Sequence, residues 1–255
     1  MNHQSLNLPP LYEPVVLEEG GNAFAEACRR ADDGAREGTL LWTRKPTEVQ
    51  GRTGMPWLAG PNDLQCAVIL EPDYPATEAL QLVYVTAIAT ALAVADLVPP
   101  LTEMGYGWPN DVRLDGAKVA AVDLSAGKGP GGSFRWMVLG TRINVSTAPA
   151  GMEPEAASLQ EEGAPSIEPT EVLERFARHF LTWSSRWADE GFAPVREAWQ
   201  NHGPEIGHSM GINLPGKQSE GVFQGLDEAG NLNLLVADGS AESLSVAVAF
   251  GVDIG

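Results

Sequence analysis

The chain is poor in cysteine, and this excludes two common classes of small protein. Its 255 residues include only Cys28 and Cys66, so neither a disulfide scaffold nor a thiolate zinc site is expected. Cys28 lies on an apparent helix and Cys66 inside an apolar strand, which predicts two core thiols and no nucleophile or metal ligand. The four histidines are scattered along the chain, so catalysis by histidine is not expected either.

Basic residues and uninterrupted apolar runs are also scarce. The 16 lysines and arginines face 34 aspartates and glutamates, and the net charge is −18. Binding to nucleic acid needs clustered cations, so nucleic acid is not an expected partner. The longest apolar run, residues 80–98, is interrupted by Gln81, Thr86, Thr90 and Asp96, which predicts a buried helix and no membrane span. The first ten residues lack the features of a signal peptide, so the cytoplasm is the predicted location.

The order of predicted elements indicates an α+β fold with a mixed sheet. Apolar periodicity predicts helices over residues 22–32, 77–96 and 171–188, with Asn22 as an N-cap. Strands are predicted over residues 39–43, 64–70, 111–114, 118–125 and 134–145. After residue 203 the pattern changes to short strands at 209–214, 221–226, 232–236 and 243–250, separated by turn residues. We therefore predict two domains, residues 1–203 and residues 204–255, the second being a small β-barrel.

A rigid corner at residues 107–111, with the sequence Gly-Trp-Pro-Asn-Asp, is the most informative segment. Proline restricts its own φ and the residue before it, while Asn and Asp bond nearby backbone groups. The Asp115-Gly116 dipeptide that follows is typical of a type I′ hairpin turn, since both central residues need positive φ. This turn would place Lys118, on the returning strand, close to the corner.

Five segments in chain order resemble the motifs of biotin protein ligases, within the biotin/lipoate ligase superfamily. Residues 107–121 are similar to the family's KWPND segment and hairpin, and residues 50–57 to its GRGRxGRxW loop. The others are residues 38–42, 139–145 and 157–159, which resemble the strand before the loop, the GxGINV strand and the ATSL-type segment. Residues 225–232 resemble a hairpin of the family's SH3-like domain. The resemblance implies a mixed-sheet ligase domain followed by an SH3-like β-barrel.

The resemblance also implies an activity. Such ligases activate biotin, lipoate or octanoate with ATP and its Mg²⁺, form an acyl adenylate, and pass the acyl group to a lysine of an acceptor carrier domain. The expected partner is the carrier domain of a biotin- or lipoate-dependent enzyme, and a homodimer is left open. Repressor members carry an N-terminal helix-turn-helix; about twenty residues precede the first helix here, so the stand-alone type is expected.

The candidate site residues follow from the same motifs. Lys118 and Arg52 are the candidate catalytic residues. The Lys118 ammonium would neutralise a carboxylate or phosphoryl oxygen, and Arg52, which matches the second arginine of the family loop, would cover the bound intermediate. Glycines in the loop let backbone N–H groups approach phosphate closely. The candidates for binding the substrate are Asn22, Gly51, Gly54, Trp57, Trp108, Asn110, Asp111, Gly140, Arg142 and Asn144. No metal held by protein ligands is expected.

The chain departs from the family motifs where those motifs carry positive charge. Gly107 stands in place of the KWPND lysine, and Gln50 and Met55 replace two loop arginines. Each cation lost at a phosphate costs about 2 to 4 kcal/mol of transition-state stabilisation, so a non-catalytic protein that binds a cofactor or a partner is the alternative function. The competing hypothesis is compensation, in which Arg142 reaches the space left at Gly107 and Met55.

The identity of the acid is left open. Gly20 and Gly21 replace two hydroxyl residues that contact the biotin head in relatives, which favours a plainer acid such as octanoate or lipoate. The overall pattern and the C-terminal domain favour biotin. An octanoyl transferase is disfavoured, because Cys28 and Cys66 lie on the wrong elements for a nucleophile.

Overall fold

The computed structural model describes residues 6–18, 20–46, 60–151, 155–164 and 166–254, and only the backbone of 49–50 and 56–57. In these ranges the helices are α1 (Ala23–Asp32), α2 (Ala76–Ala79), α3 (Leu82–Ala95), α4 (Pro169–Glu190), α5 (Ala193–Gln200) and α6 (Val246–Phe250), with a 3₁₀ turn at Pro130–Gly132. The first strands are β1 (Glu13–Leu17), β2 (Thr39–Thr43), β3 (Val49–Gln50), β4 (Pro56–Trp57), β5 (Leu64–Leu70), β6 (Met104–Gly107) and β7 (Asp111–Leu114). The others are β8 (Ala117–Lys128), β9 (Phe134–Ile143), β10 (Ser209–Leu214), β11 (Lys217–Leu226), β12 (Leu232–Leu235) and β13 (Ala241–Leu244).

A mixed sheet forms the centre of the protein. Over the described residues its strand order is β1-β2-β5-β9-β8-β7-β6. Strands β1 and β2 are parallel, and the other neighbours are antiparallel. The predicted α+β fold with a mixed sheet is therefore confirmed.

The two faces of this sheet are covered unequally. Helices α3 and α4 pack together over one face and enclose the main apolar core. On the other face, α1 presents Ala23, Ala27 and Ala31 to a smaller cluster that includes Leu41 and Ala67 of the sheet. Because α1 is short, it covers only part of its face, and polar side chains occupy the neighbouring strand positions.

The apolar segment predicted to be a buried helix lies in the main core. Residues Ala76–Ala95 are long and apolar enough to cross a membrane, yet 83% of the 18-residue window is buried inside the protein. Between Ala79 and Leu82 the segment is divided into α2 and α3. Helix α3 is apolar on all sides because the sheet, α4 and α5 surround it.

A separate antiparallel sheet follows α5, with the strand order β10-β11-β12-β13 in the described residues. The predicted strand over residues 243–250 is wrong, because β13 ends at Leu244 and α6 begins at Val246. Ser245 caps this helix by accepting a hydrogen bond from the Val248 N–H at 3.3 Å, and Gly251, with φ +66°, ends it. Local capping therefore overrides the β-propensity of this short run.

Candidate functional site

On the sheet face that α1 partly covers, a line of cross-strand neighbours runs over six strands. In register, it consists of Thr43 in β2, Gln65 in β5, Arg142 in β9, Ala121 in β8, Asp111 in β7 and Gly107 in β6. Directly paired residues of neighbouring strands point to the same face of a sheet. The row, called the polar row below, therefore collects residues from distant parts of the chain into one surface.

The N-terminus of α1 lies at one end of the polar row. The Thr43 hydroxyl donates to the carbonyl of Gly21 at 3.1 Å, which ties the residue before the helix to β2. The prediction that Asn22 caps α1 is confirmed, because its side-chain oxygen accepts from the Ala25 N–H at 3.0 Å. Asn22, a candidate substrate contact, is thus engaged in ordering the helix that borders the site.

Gly140 allows α1 to lie directly on the sheet. A Cβ atom at this position would lie 2.8 Å from Phe24 Cδ2 and 3.3 Å from the carbonyl oxygen of Cys66. Both distances are too short for ordinary contact, so the glycine sets the distance between α1 and β9. Gly140 therefore shapes the site by permitting this close packing.

Arg142 forms a buried ion pair in the middle of the face. Its Nη2 lies 2.7 Å from Asp123 Oδ1, and the two side chains are 5% and 16% exposed. Burial raises the pKa of Asp123 above its usual value, and the charges of Arg142 and Lys118 oppose that rise. Much of the Arg142 charge is therefore used to balance a carboxylate of the protein.

The other end of the polar row carries a second charged group. Lys118 Nζ lies 2.5 Å from Asp111 Oδ1, which confirms that Lys118 is close to the corner. The register of β7 and β8 shifts between Val112 and Arg113, which puts Lys118 opposite Arg113. Arg113 Nη2 lies 3.6 Å from Asp111 Oδ2. Two cations thus approach one carboxylate.

The space beside Gly107 belongs to Arg113. A Cβ atom at Gly107 would lie 2.7 Å from Arg113 Nη2 and 3.1 Å from its Cζ. The prediction that Arg142 fills this space is therefore wrong for Gly107, and Met55 lies outside the described residues. Arg113 was not among the candidates. The alternation of Asp111 and Arg113 along one strand could have identified it, because both must face the same side.

Trp108 and Asn110 hold the corner together from within. The Trp108 indole N–H donates to the Tyr84 hydroxyl at 2.8 Å, and this hydroxyl donates to the carbonyl of Gly230 at 2.6 Å. The Asn110 amide donates to the carbonyl of Val122 at 2.9 Å. Both side chains are buried and support the corner from within. Their predicted contact with the substrate stays a prediction.

Asn144 is buried beyond the end of β9. Its side-chain amide donates to the carbonyl of Ala157 at 3.0 Å, which holds the segment 155–159 against the sheet. Its Oδ1 atom is buried and has no hydrogen-bond partner in the described part of the chain. Asn144 therefore orders the backbone that pairs with Lys118, whose N–H donates to the carbonyl of Glu155 at 2.7 Å.

The glycine-rich loop is only partly described. Gly51, Arg52 and Gly54 lie outside the described residues, and of Trp57 only the backbone is described, paired with Val49. The predicted roles of these four residues therefore stay predictions.

Asp63 anchors the chain where it leaves this loop. Its Oδ1 accepts from the N–H groups of Val145 and Ser146 at 2.9 and 2.8 Å, and its Oδ2 accepts from the Gly60 N–H at 2.6 Å. The carboxylate is 2% exposed. Asp63 thus joins the end of the loop to the segment after β9. Asp63 was not among the predicted site residues, although an Asp before a strand is a common capping residue.

Within the described ranges, the thiols and acids do not form a metal centre. In the described residues no group of three or more His, Cys, Asp or Glu side chains is placed to hold a metal ion. Burial raises the pKa of Cys28 to about 11 and also raises the pKa of Cys66. Both thiols are therefore protonated at neutral pH. Cys66 is buried as predicted, whereas Cys28 is half-buried beside the smaller cluster under α1.

The chain belongs to the biotin/lipoate A/B protein ligase family, whose model matches residues 8–201. Among curated relatives, the biotin–[acetyl-CoA-carboxylase] ligase of Paracoccus denitrificans is 31% identical over 225 residues, which are 86% of this chain and 92% of the relative. A biotin protein ligase-like protein from Silicibacter shares the fold, with a TM-score of 0.79 at 22% identity over 95% of this chain and 97% of that one. The biotin protein ligase of Aquifex aeolicus, solved with biotin and ATP, gives 0.74 at 22% identity over 91% and 95%.

Proposed function

We propose that the protein is an ATP-dependent biotin protein ligase that acts through biotinyl adenylate and transfers biotin to a lysine of a carrier domain. The observation that carries the proposal is the Lys118–Asp111 pair, which holds an ammonium beside the corner at the end of the polar row. The relative from Paracoccus, named for biotin ligation to acetyl-CoA carboxylase, supports biotin as the acid and a carrier domain as the partner.

In the first step a carboxylate oxygen of biotin attacks the α-phosphorus of ATP, which is bound with Mg²⁺, and pyrophosphate leaves. In the second step the neutral amine of the acceptor lysine attacks the acyl carbon, the bond to AMP breaks, AMP leaves with the electron pair, and the new amide nitrogen releases a proton to solvent. Both steps place negative charge on phosphoryl oxygens, and a cation held in position stabilises this charge. Lys118 supplies such a cation, and Asp111 orients it.

The geometry of the face favours an acid lying along the polar row. At one end the first turn of α1 contributes backbone N–H groups and the positive end of its dipole, which favour polar and negatively charged atoms. At the other end Lys118 is 13% exposed and within reach of a ligand. An acid between these ends would place its carboxylate at Lys118 and its other polar groups near α1.

The remaining assignments belong to the same proposal. We propose that residues 204–255 form an SH3-like β-barrel domain; the antiparallel order β10-β11-β12-β13 supports it. The activity is assigned to the cytoplasm, and lipoate and octanoate are the competing acids. A homodimer stays a prediction, to be tested by light scattering during gel filtration.

The test is pyrophosphate release from ATP with biotin, lipoate or octanoate, followed by transfer of the acyl group to a purified biotin carrier domain. The variant Lys118→Met is expected to lower the rate with biotin about 100-fold or more. Lys128→Met is the matched control, because Lys128 lies on the same strand, is 58% exposed and pairs with Asp253. It should keep the wild-type rate.

Biotin-dependent pyrophosphate release by the wild type, lost in Lys118→Met, would support the proposal. Pyrophosphate release with lipoate or octanoate, and none with biotin, would identify that acid as the substrate instead. Absence of release with all three acids would refute the ligase function and favour a non-catalytic binding protein.

A further inference from the structure

Arg113 extends into a space that two glycines leave open. In the β6–β7 hairpin, Gly105 pairs with Arg113 and Gly107 pairs with Asp111, so all four positions lie on one face. The Arg113 guanidinium lies so close to Gly107 that a Cβ atom there would be 2.7 Å from Nη2. A side chain at residue 107 and the present position of Arg113 therefore exclude each other.

The protein itself makes little use of the Arg113 charge. Its contact with Asp111 Oδ2 is 3.6 Å, which is beyond hydrogen-bond distance, while the other oxygen of Asp111 holds Lys118 at 2.5 Å. Arg113 Nε is buried and has no hydrogen-bond partner in the described part of the chain. A guanidinium has five N–H donors, and a buried donor without a partner is costly. The Arg113 guanidinium is therefore not fully satisfied by the described residues.

A ligand can reach this guanidinium. The Arg113 side chain is 33% exposed, and it lines a cavity of about 640 Å³ together with Gly107 and Trp108 of the corner. Asp115 lines the same cavity, but its carboxylate accepts the Glu103 N–H at 2.8 Å. The Arg113 guanidinium beside the corner therefore faces a cavity large enough for a ligand.

We infer that Arg113 holds the negatively charged group of the ligand at the corner, namely the carboxylate of the acid and the phosphoryl group that becomes joined to it. The inference rests on the proposed function and adds a binding residue to it. A guanidinium can give two parallel hydrogen bonds to a carboxylate or phosphate, whereas the Lys118 ammonium acts as a point charge. Arg113 thus supplies from β7 the cation that β6 lacks at Gly107.

The first experiment measures binding of biotin and of its uncharged amide by isothermal titration calorimetry. Wild type should bind biotin more tightly than the amide. In Arg113→Gln the ratio of these two affinities should fall at least tenfold. Arg113→Lys should keep part of the preference for biotin. Arg135→Gln is the matched control. Arg135 lies in β9, away from the corner, is 58% exposed and pairs with Asp32 at the end of α1.

The second experiment separates crowding from charge. Gly107→Ala keeps Arg113 but displaces its guanidinium, so it should weaken biotin binding while the amide binds as before. The double variant Gly107→Lys/Arg113→Leu places the cation on β6 instead of β7. It should again bind biotin more tightly than the amide. Melting temperatures of the ligand-free Arg113→Gln and Arg113→Lys variants should stay near wild type, because the only ion pair of Arg113 in the described residues is the 3.6 Å contact with Asp111.

The outcomes distinguish this inference from the proposed function. If wild type releases pyrophosphate with biotin and Arg113→Gln retains both that rate and the preference for biotin within threefold, the inference is refuted while the ligase function stands. If wild type is inactive with every acid, the ligase function is refuted, and binding of inorganic pyrophosphate becomes the probe. Arg113→Gln must then weaken pyrophosphate binding at least tenfold, and equal affinity would overturn the anion role of Arg113.

Discussion

Removing Arg142 should destabilise the protein because it leaves a buried carboxylate without its partner. Asp123 is 16% exposed, and the guanidinium that balances it at 2.7 Å is 5% exposed. Losing one partner of a buried ion pair costs about 3 to 5 kcal/mol. Because Asp123 keeps some exposure, the lower value of about 3 kcal/mol is expected for Arg142→Met. At about 2 to 4 °C per kcal/mol, the melting temperature should fall by roughly 6 to 12 °C.

The cost should depend on pH in a defined direction. Burial already raises the pKa of Asp123, and removing Arg142 raises it further. A carboxyl whose folded pKa lies above its unfolded value contributes stability at low pH, and that stability is lost as the pH rises through the folded pKa. The difference between wild type and Arg142→Met should therefore be larger at pH 8 than at pH 5.

Urea denaturation followed by the fluorescence of the seven tryptophans measures this cost. Arg135→Met, in which an exposed pair with Asp32 is broken, is the control and should lose at most about 1 kcal/mol. The double variant Arg142→Met with Asp123→Leu removes both charges and should recover most of the loss. A cost below about 1 kcal/mol in the single variant, or no recovery in the double variant, would refute the reasoning.

Two further predictions concern buried polar groups. Tyr84→Phe removes the hydroxyl that joins Trp108 to Gly230 and leaves both of their polar atoms buried, so urea denaturation should show a loss of about 1 to 3 kcal/mol; a loss of a few tenths would contradict it. Because the pKa of Cys28 is raised to about 11, its alkylation by iodoacetamide at pH 8, followed by mass spectrometry, should be about tenfold slower than that of a free peptide thiol. Equal rates would show that the thiol is not buried as described.

Elements with strong local signals could be predicted from the sequence. Strands β2, β5, β7 and β10 have the predicted limits, because each is a short apolar or alternating run between turn residues. The type I′ turn also agrees, since Asp115 and Gly116 have φ values of +46° and +87°. Here the local preference and the tertiary structure agree.

Elements that depend on distant partners were missed. Strand β1 contains Pro14, which argues against a strand, but it pairs with β2 at the edge of the sheet, where proline is tolerated. Strand β6 reads Met-Gly-Tyr-Gly, and it is held by β7 and by the Tyr106 N–H, which donates to the carbonyl of His202 at 2.8 Å. Strand β1 depends on hydrogen bonds from β2, and β6 depends on both the adjacent β7 and the distant His202 carbonyl, so their own sequences do not identify them.

The candidate site shows the same limit at the level of single side chains. Comparing motifs position by position identifies a lost lysine at Gly107, but a binding site is filled by volume and charge, whatever strand supplies them. In the antiparallel hairpin, residues 107 and 113 lie on one face within reach of the same point. An arginine at 113 can therefore supply the missing cation without any change in the backbone, provided that residue 107 has no side chain. Gly107 then leaves the room that the Arg113 guanidinium needs. Glycine at this position does not by itself indicate that the site has lost its charge.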